Sequence, residues 1–85
     1  MVSLEAQYTV SRVVLTFPTN DIYQYIIEVA QTNGDWTPVV DRSRSTSTER
    51  TRHEVGQFGD NISYVRIRFT GKRAGLAEVK VGGSR

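Results

Sequence analysis

The sequence predicts an all-β fold, an antiparallel β-sandwich or partial barrel. Two observations carry this. Apolar residues recur at every second position through almost every hydrophobic stretch, which is the period of a half-buried strand and not the 3.6 of a helix. Clusters of Pro, Gly, Asn and Asp cut the chain into short pieces, and no helix-period segment of ten residues occurs. Six or seven short strands separated by turns follow, which is the pattern of opposed antiparallel layers.

In chain order, Val10, Val13, Leu15 and Phe17 form one face of an early strand, with Arg12, Val14 and Thr16 on the other, and Pro18-Thr19-Asn20-Asp21 breaks it. Residues 22–30 repeat the alternation, with Tyr23, Tyr25, Ile27 and Val29 opposite Gln24, Ile26 and Glu28. Asn33-Gly34 is then a hairpin signal, and the partner strand begins at Trp36. Pro38 lacks a ladder donor and places that strand at an edge. Residues 42–51 contain no aliphatic or aromatic side chain, so they are expected as a mobile, solvated loop or a loosely held strand extension. Arg52 to Val55 form a short strand, and Gly56 to Asn61 a turn that buries the Phe58 ring. From Ile62 to Thr70, Val65, Ile67 and Phe69 share one face and Tyr64, Arg66 and Arg68 the other. Gly71 to Gly75 is a tight basic turn, and Leu76 to Val81 the last strand.

With 85 residues, 38% hydrophobic and 24% charged, the chain makes one small globular domain over residues 1–85, with a thin core. Eleven bases against nine acids leave +2, too slight an excess to argue for nucleic acid. No cysteine is present and His53 is the sole histidine. That removes disulfide scaffolds, thiolate chemistry and any two-His metal site, and no cofactor is expected. The longest apolar runs fall far short of the ~20 residues of a spanning helix. No basic n-region precedes an apolar h-region either. Neither a membrane span nor an intact signal peptide is expected, although a domain cut from a longer exported chain would look the same.

Five pieces in order resemble a known family: Val10-Ser11-Arg12-Val13-Val14-Leu15-Thr16-Phe17-Pro18, Tyr25-Ile26-Ile27-Glu28-Val29, Asn33-Gly34-Asp35-Trp36-Thr37-Pro38-Val39, Tyr64-Val65-Arg66-Ile67-Arg68-Phe69 and Leu76-Ala77-Glu78-Val79-Lys80-Val81. Together with Val2-Ser3-Leu4 and Tyr8, they are similar to the second part of a discoidin domain. This is the coagulation factor 5/8 type C group, which includes the family 32 carbohydrate-binding modules. The resemblance implies a galactose-binding-domain-like jelly roll, truncated at its N-terminus, that binds ligands through loops at one end. It also implies an accessory module of a larger secreted glycoside hydrolase or related glycan-processing protein, located outside the cell, in the periplasm or at the cell surface. Ala77 and Glu78 match positions that help hold a structural cation in some relatives. The remaining oxygen ligands belong to the family's N-terminal part, which has no counterpart here, so no metal site is expected and Glu78 is at most a remnant of one. The turn Gly71-Lys72-Arg73-Ala74-Gly75 carries two bases where relatives often present an aromatic ring.

The candidate ligand-binding residues are Arg44, Arg50, Arg52, His53, Lys72 and Arg73. Guanidinium groups beside Ser and Thr hydroxyls suit carboxylates, sulfates and phosphates. The competing reading is a solvated loop with ion pairs from the arginines to Glu28, Glu54 or Glu78. Trp36 is expected to pack over the sheet after the hairpin, Tyr23 and Tyr25 to lie in the core, and Tyr8 and Phe58, placed in turns, to be freer. His53 and Glu54, adjacent on a strand, point to opposite faces, and no serine sits in a nucleophile-elbow pattern. No catalytic residue is assigned. The function expected is noncatalytic carbohydrate binding. The alternative is a structural domain whose exposed edges are covered by a parent catalytic domain or a second copy. Neither nucleic acid nor membrane is an expected partner.

Overall fold

A computed structural model describes residues 2–32 and 34–84. Its strands are β1 (Val2–Thr16), β2 (Tyr25–Ala30), β3 (Thr37–Asp41), β4 (Thr51–Phe69) and β5 (Glu78–Ser84). They form one antiparallel sheet of order β3-β2-β4-β1-β5. Pro38 lies in β3, an edge strand, as its missing donor requires. The Asn33 half of the hairpin signal lies outside the described residues.

Two long strands take the place of several short ones. The first half of β4 pairs with the second half of β1, Thr51 to Val55 against Thr16 to Arg12, while its second half pairs with β2, Tyr64 to Phe69 against Ala30 to Tyr25. β1 likewise begins beside the second half of β4, through Val2 and Val65, and ends between β4 and β5. Each strand bends where it passes between these neighbourhoods. Gly59 has φ 138° and Asn61 φ 54° in β4, and Glu5 has φ 62° in β1. The expected Gly56 to Asn61 turn is therefore a kink inside a continuous strand. The conformations that glycine and asparagine permit in a turn serve here as a bend in a ladder. Phe58 is buried there, as expected, but from within β4. Tyr8 lies in β1, not in a turn, and packs against the core.

The bends fold the sheet over itself and bring the two inner faces together. Val10, Val13, Leu15 and Phe17 from β1 and the residue after it meet Tyr23, Tyr25, Ile27, Val29 and Val65 in one buried cluster. The Phe17 ring stacks on Tyr23, centroids 4.1 Å apart, and Phe69 approaches both edge-on. The alternation read from the sequence thus lands with its apolar side inward on β1, β2 and the second half of β4.

The outer face of β2 and β4 carries a polar ladder. Glu28 is 7% exposed because Arg66 and Arg68 close over it, at 2.9 and 3.2 Å. Arg66 also lies 4.3 Å from the centroid of the Trp36 ring, whose edge meets Tyr64. Trp36 packs over the sheet, and these arginines are cross-strand ion partners.

Candidate functional site

Antiparallel pairing groups the end of β1 with the starts of β4 and β5, and the start of β2 with the ends of β3 and β4, and the bends in β1 and β4 bring both groups to one end of the molecule, where Phe17 meets Phe69. Three connections consequently converge there: residues 17–24, 42–50 and 70–77. They are tied to one another and to the strands. Asn20 donates to the Thr48 carbonyl and Gln24 to that of Ser45, both at 3.3 Å. The Arg50 side chain donates to the Phe17 carbonyl, and the Phe17 and Arg50 backbones are joined at 2.7 Å. The Thr70 N–H donates to Gln24, and that of Ala77 to Thr16. The 42–50 segment buries no apolar side chain, as its composition dictates, and forms a largely exposed loop that these bonds tie to its neighbours.

Two clefts open on this end. The first, of about 520 Å³, lies between the 17–24 connection and the basic turn and is lined by Asn20, Asp21, Ile22, Gln24, Thr48, Lys72 and Arg73. Gly71 makes it possible for the turn to approach: a Cβ there would lie 2.6 Å from Oε1 of Gln24. Asp21 accepts from the Thr19 hydroxyl at 2.6 Å and faces Arg73 at 3.5 Å through its Oδ2. Its Oδ1 has no partner among the described residues. Ile22 is 45% exposed, an apolar surface beside polar groups.

The second cleft, of about 400 Å³, is lined by Tyr25, Asp41, Arg42, Arg44, Ser45, Ser47, Arg52 and Glu54. Glu54 points inward from β4 and is 6% exposed. Arg42 covers it with a bidentate pair, Nε to Oε2 at 2.8 Å and Nη2 to Oε1 at 3.1 Å, and these bonds raise the guanidinium pKa. Burial first, and the Glu54 charge second, push the Tyr25 phenol above its ordinary range. The Ser43 hydroxyl and N–H hold the Asp41 carboxyl below its usual value.

The residues singled out from the sequence divide between these places. Lys72 and Arg73 line the first cleft and Arg44 the second. Arg52 is buried: it donates to the carbonyls of Glu49 and Ser47, and its guanidinium lies 5.0 Å from the Phe17 ring centroid. It braces the loop while lining the second cleft. Arg50 is exposed but engaged with Phe17. His53 is exposed opposite Val14, on the face of β4 away from the buried Glu54. It joins neither cleft, and the two side chains point apart as strand geometry requires. Glu78 opens β5 and pairs with Lys80 at 3.2 Å. Among the described residues no group of three or more His, Asp or Glu side chains is arranged to hold a metal ion. Sequence reading took residues 18–21 only as a strand break and missed Asn20, Asp21, Ile22, Gln24 and Thr48 as cleft residues. A polar turn beside an apolar side chain was the one local signal.

The factor 5/8 type C family model described as NedA-like, galactose-binding domain, matches residues 1–69. No curated protein and no solved structure gave a significant match.

Proposed function

Because the chain belongs to the NedA-like galactose-binding domains of the factor 5/8 type C group, a binding and noncatalytic type of domain, we propose that it is a carbohydrate-recognition module. In this reading it serves a larger secreted glycoside hydrolase or related glycan-processing protein. The observation that carries the proposal is the convergence of three cross-linked loops on one end, where they line an open cleft around Asp21 and Ile22.

A sugar ring presents hydroxyls at its rim and C–H groups on its faces. The Asp21 carboxylate can accept from one hydroxyl, the amides of Asn20 and Gln24 can donate to or accept from others, and Ile22 offers an apolar surface to the C–H face. Among the described residues no aromatic ring lines this cleft, so stacking contributes nothing and binding is weak, on the order of 1 mM or about 4 kcal/mol. The loops are already fastened, which keeps the ordering cost of binding low. Titration calorimetry and a glycan array on folded protein test the reading. Saturable binding that Asp21→Ala and Ile22→Ser weaken supports it, and a folded chain that binds no neutral or acidic sugar refutes it.

A second reading, assembly with another copy of the chain, is favoured by a groove of about 450 Å³ beside β5. Val2, Leu4, Tyr8, Val79 and Val81 contribute its apolar lining. There the start of β1 pairs only with β4, and β5 is an edge strand. Sedimentation as a dimer at micromolar concentration supports this reading, and a stable monomer refutes it.

A further inference from the structure

Resting on the carbohydrate reading, we infer that the ligand of the Asp21 cleft is an acidic glycan, whose carboxylate or sulfate is held by Lys72. Charge placement gives the first reason. The loop end, taken as residues 17–24, 41–54 and 70–77, contains six bases and four acids, while the rest of the sequence contains five of each. The chain's entire formal excess of +2 therefore belongs to this end.

The second reason is which of those cations are already engaged. Arg42 is taken by Glu54, Arg52 by the carbonyls of Ser47 and Glu49, Arg50 by the Phe17 carbonyl and Arg73 by Asp21. Among the described residues, Lys72 and Arg44 are the two bases of this end with neither an ion pair nor a hydrogen bond. Only Lys72 lies in the cleft that also offers hydroxyl-binding groups and an apolar surface.

The third reason is placement. The Thr70 N–H donates to the Gln24 carbonyl at 2.9 Å and Gly71 lies against the Gln24 side chain, which sets the start of the basic turn at the cleft rim. A neutral sugar offers an ammonium at such a rim only the dipole of a hydroxyl, whereas an anionic substituent meets it charge to charge, with donor and acceptor both ionised. Lysine acts as a point charge without the planar fork of arginine, so carboxylate and sulfate both satisfy it. A nucleic acid fits less well: no ring lines the cleft, and Trp36 and Tyr64 are occupied with each other and with Arg66 on the outer face of the sheet.

The test is calorimetric titration of the full chain with three probes: an oligogalacturonate, a sulfated galactose oligosaccharide and the matching neutral galactose oligosaccharide. At least one acidic probe is expected to bind about tenfold more tightly than the neutral one. The carboxylate and sulfate arms show which anion is preferred. Lys72→Gln should collapse that preference, as should about 1 M salt, where the screening length is about 3 Å. Lys80→Gln, on β5 and paired with Glu78, should preserve it. Equal affinity for acidic and neutral probes, or a preference that survives Lys72→Gln in a chain whose melting curve is unchanged, overturns the inference and leaves the carbohydrate reading standing. Binding to none of the three by folded protein overturns both.

Discussion

Removing Arg42 should destabilise the protein through the carboxylate it leaves behind. Glu54 projects from β4 into the second cleft with its side chain 7% exposed, while the Arg42 side chain that neutralises it is 53% exposed. Arg42→Ala strands a desolvated carboxylate that, among the described residues, retains only a long 3.5 Å bond from the Tyr25 hydroxyl. Breaking a fully buried pair costs about 3–5 kcal/mol. Half of this pair is in water, so the figure is reduced to about 2 kcal/mol. For a domain of this size that lowers the melting temperature by about 10 °C. The cause can be isolated by adding Glu54→Gln to Arg42→Ala, since a neutral amide needs no countercharge. The double variant should recover about 1 kcal/mol relative to Arg42→Ala alone. Urea unfolding followed by Trp36 fluorescence and by circular dichroism measures all three proteins. If the double variant is no more stable than Arg42→Ala, the uncompensated charge is not what Arg42 relieves.

Three further outcomes are expected. Burial raises the Tyr25 pKa above 10.0, and the Glu54 charge adds to the shift. The unfolded chain therefore loses this proton first, and the contribution is fully present below pH 10 and lost as pH rises through the folded-state value. Tyrosinate absorbance recorded together with circular dichroism should show alkaline unfolding, and Tyr25→Phe should flatten that loss. Gly59→Ala forces a side chain into φ 138° with its Cβ 3.0 Å from Ile62, which should cost about 1–3 kcal/mol; a thermal midpoint unchanged from the parent would contradict the kink described for β4. Arg66→Ala removes both the cation facing Trp36 and a donor to Glu28, so a loss of about 1–2 kcal/mol is expected, with red-shifted and more readily quenched tryptophan emission.

What the sequence disclosed was chiefly the local alternation. Val10, Val13, Leu15 and Phe17 share one strand face by alternation, as do Tyr23, Tyr25, Ile27 and Val29, and both sets are buried. The pairing of arginines with Glu28 and the opposed directions of His53 and Glu54 were also legible, because both follow from pleat geometry. The continuity of β4 was not. Gly59 and Asn61 carry the signature of a turn, and only the register against β1 and β2 distinguishes a turn from a bend. The first cleft was half legible: Lys72 and Arg73 stood out as a basic turn, but their neighbours Asn20, Asp21 and Thr48 come from two other connections. Which loop arginine meets Glu54 was hidden for the same reason, since Arg42 reaches it only after β3 and β4 have been placed.

The passage of β4 through both layers bears on how the molecule opens. Its first half supplies ladder partners to one layer and its second half to the other, and β1 repeats the arrangement. Neither layer keeps a full set of backbone partners once the other separates, so the amides of Leu15, Ile27 and Val65 are expected to exchange with solvent at a common rate, set by global unfolding. Joining Val2 to Val65 closes most of the chain in one step, and such distant pairing sets assembly on the millisecond-to-second scale of topologically complex β proteins.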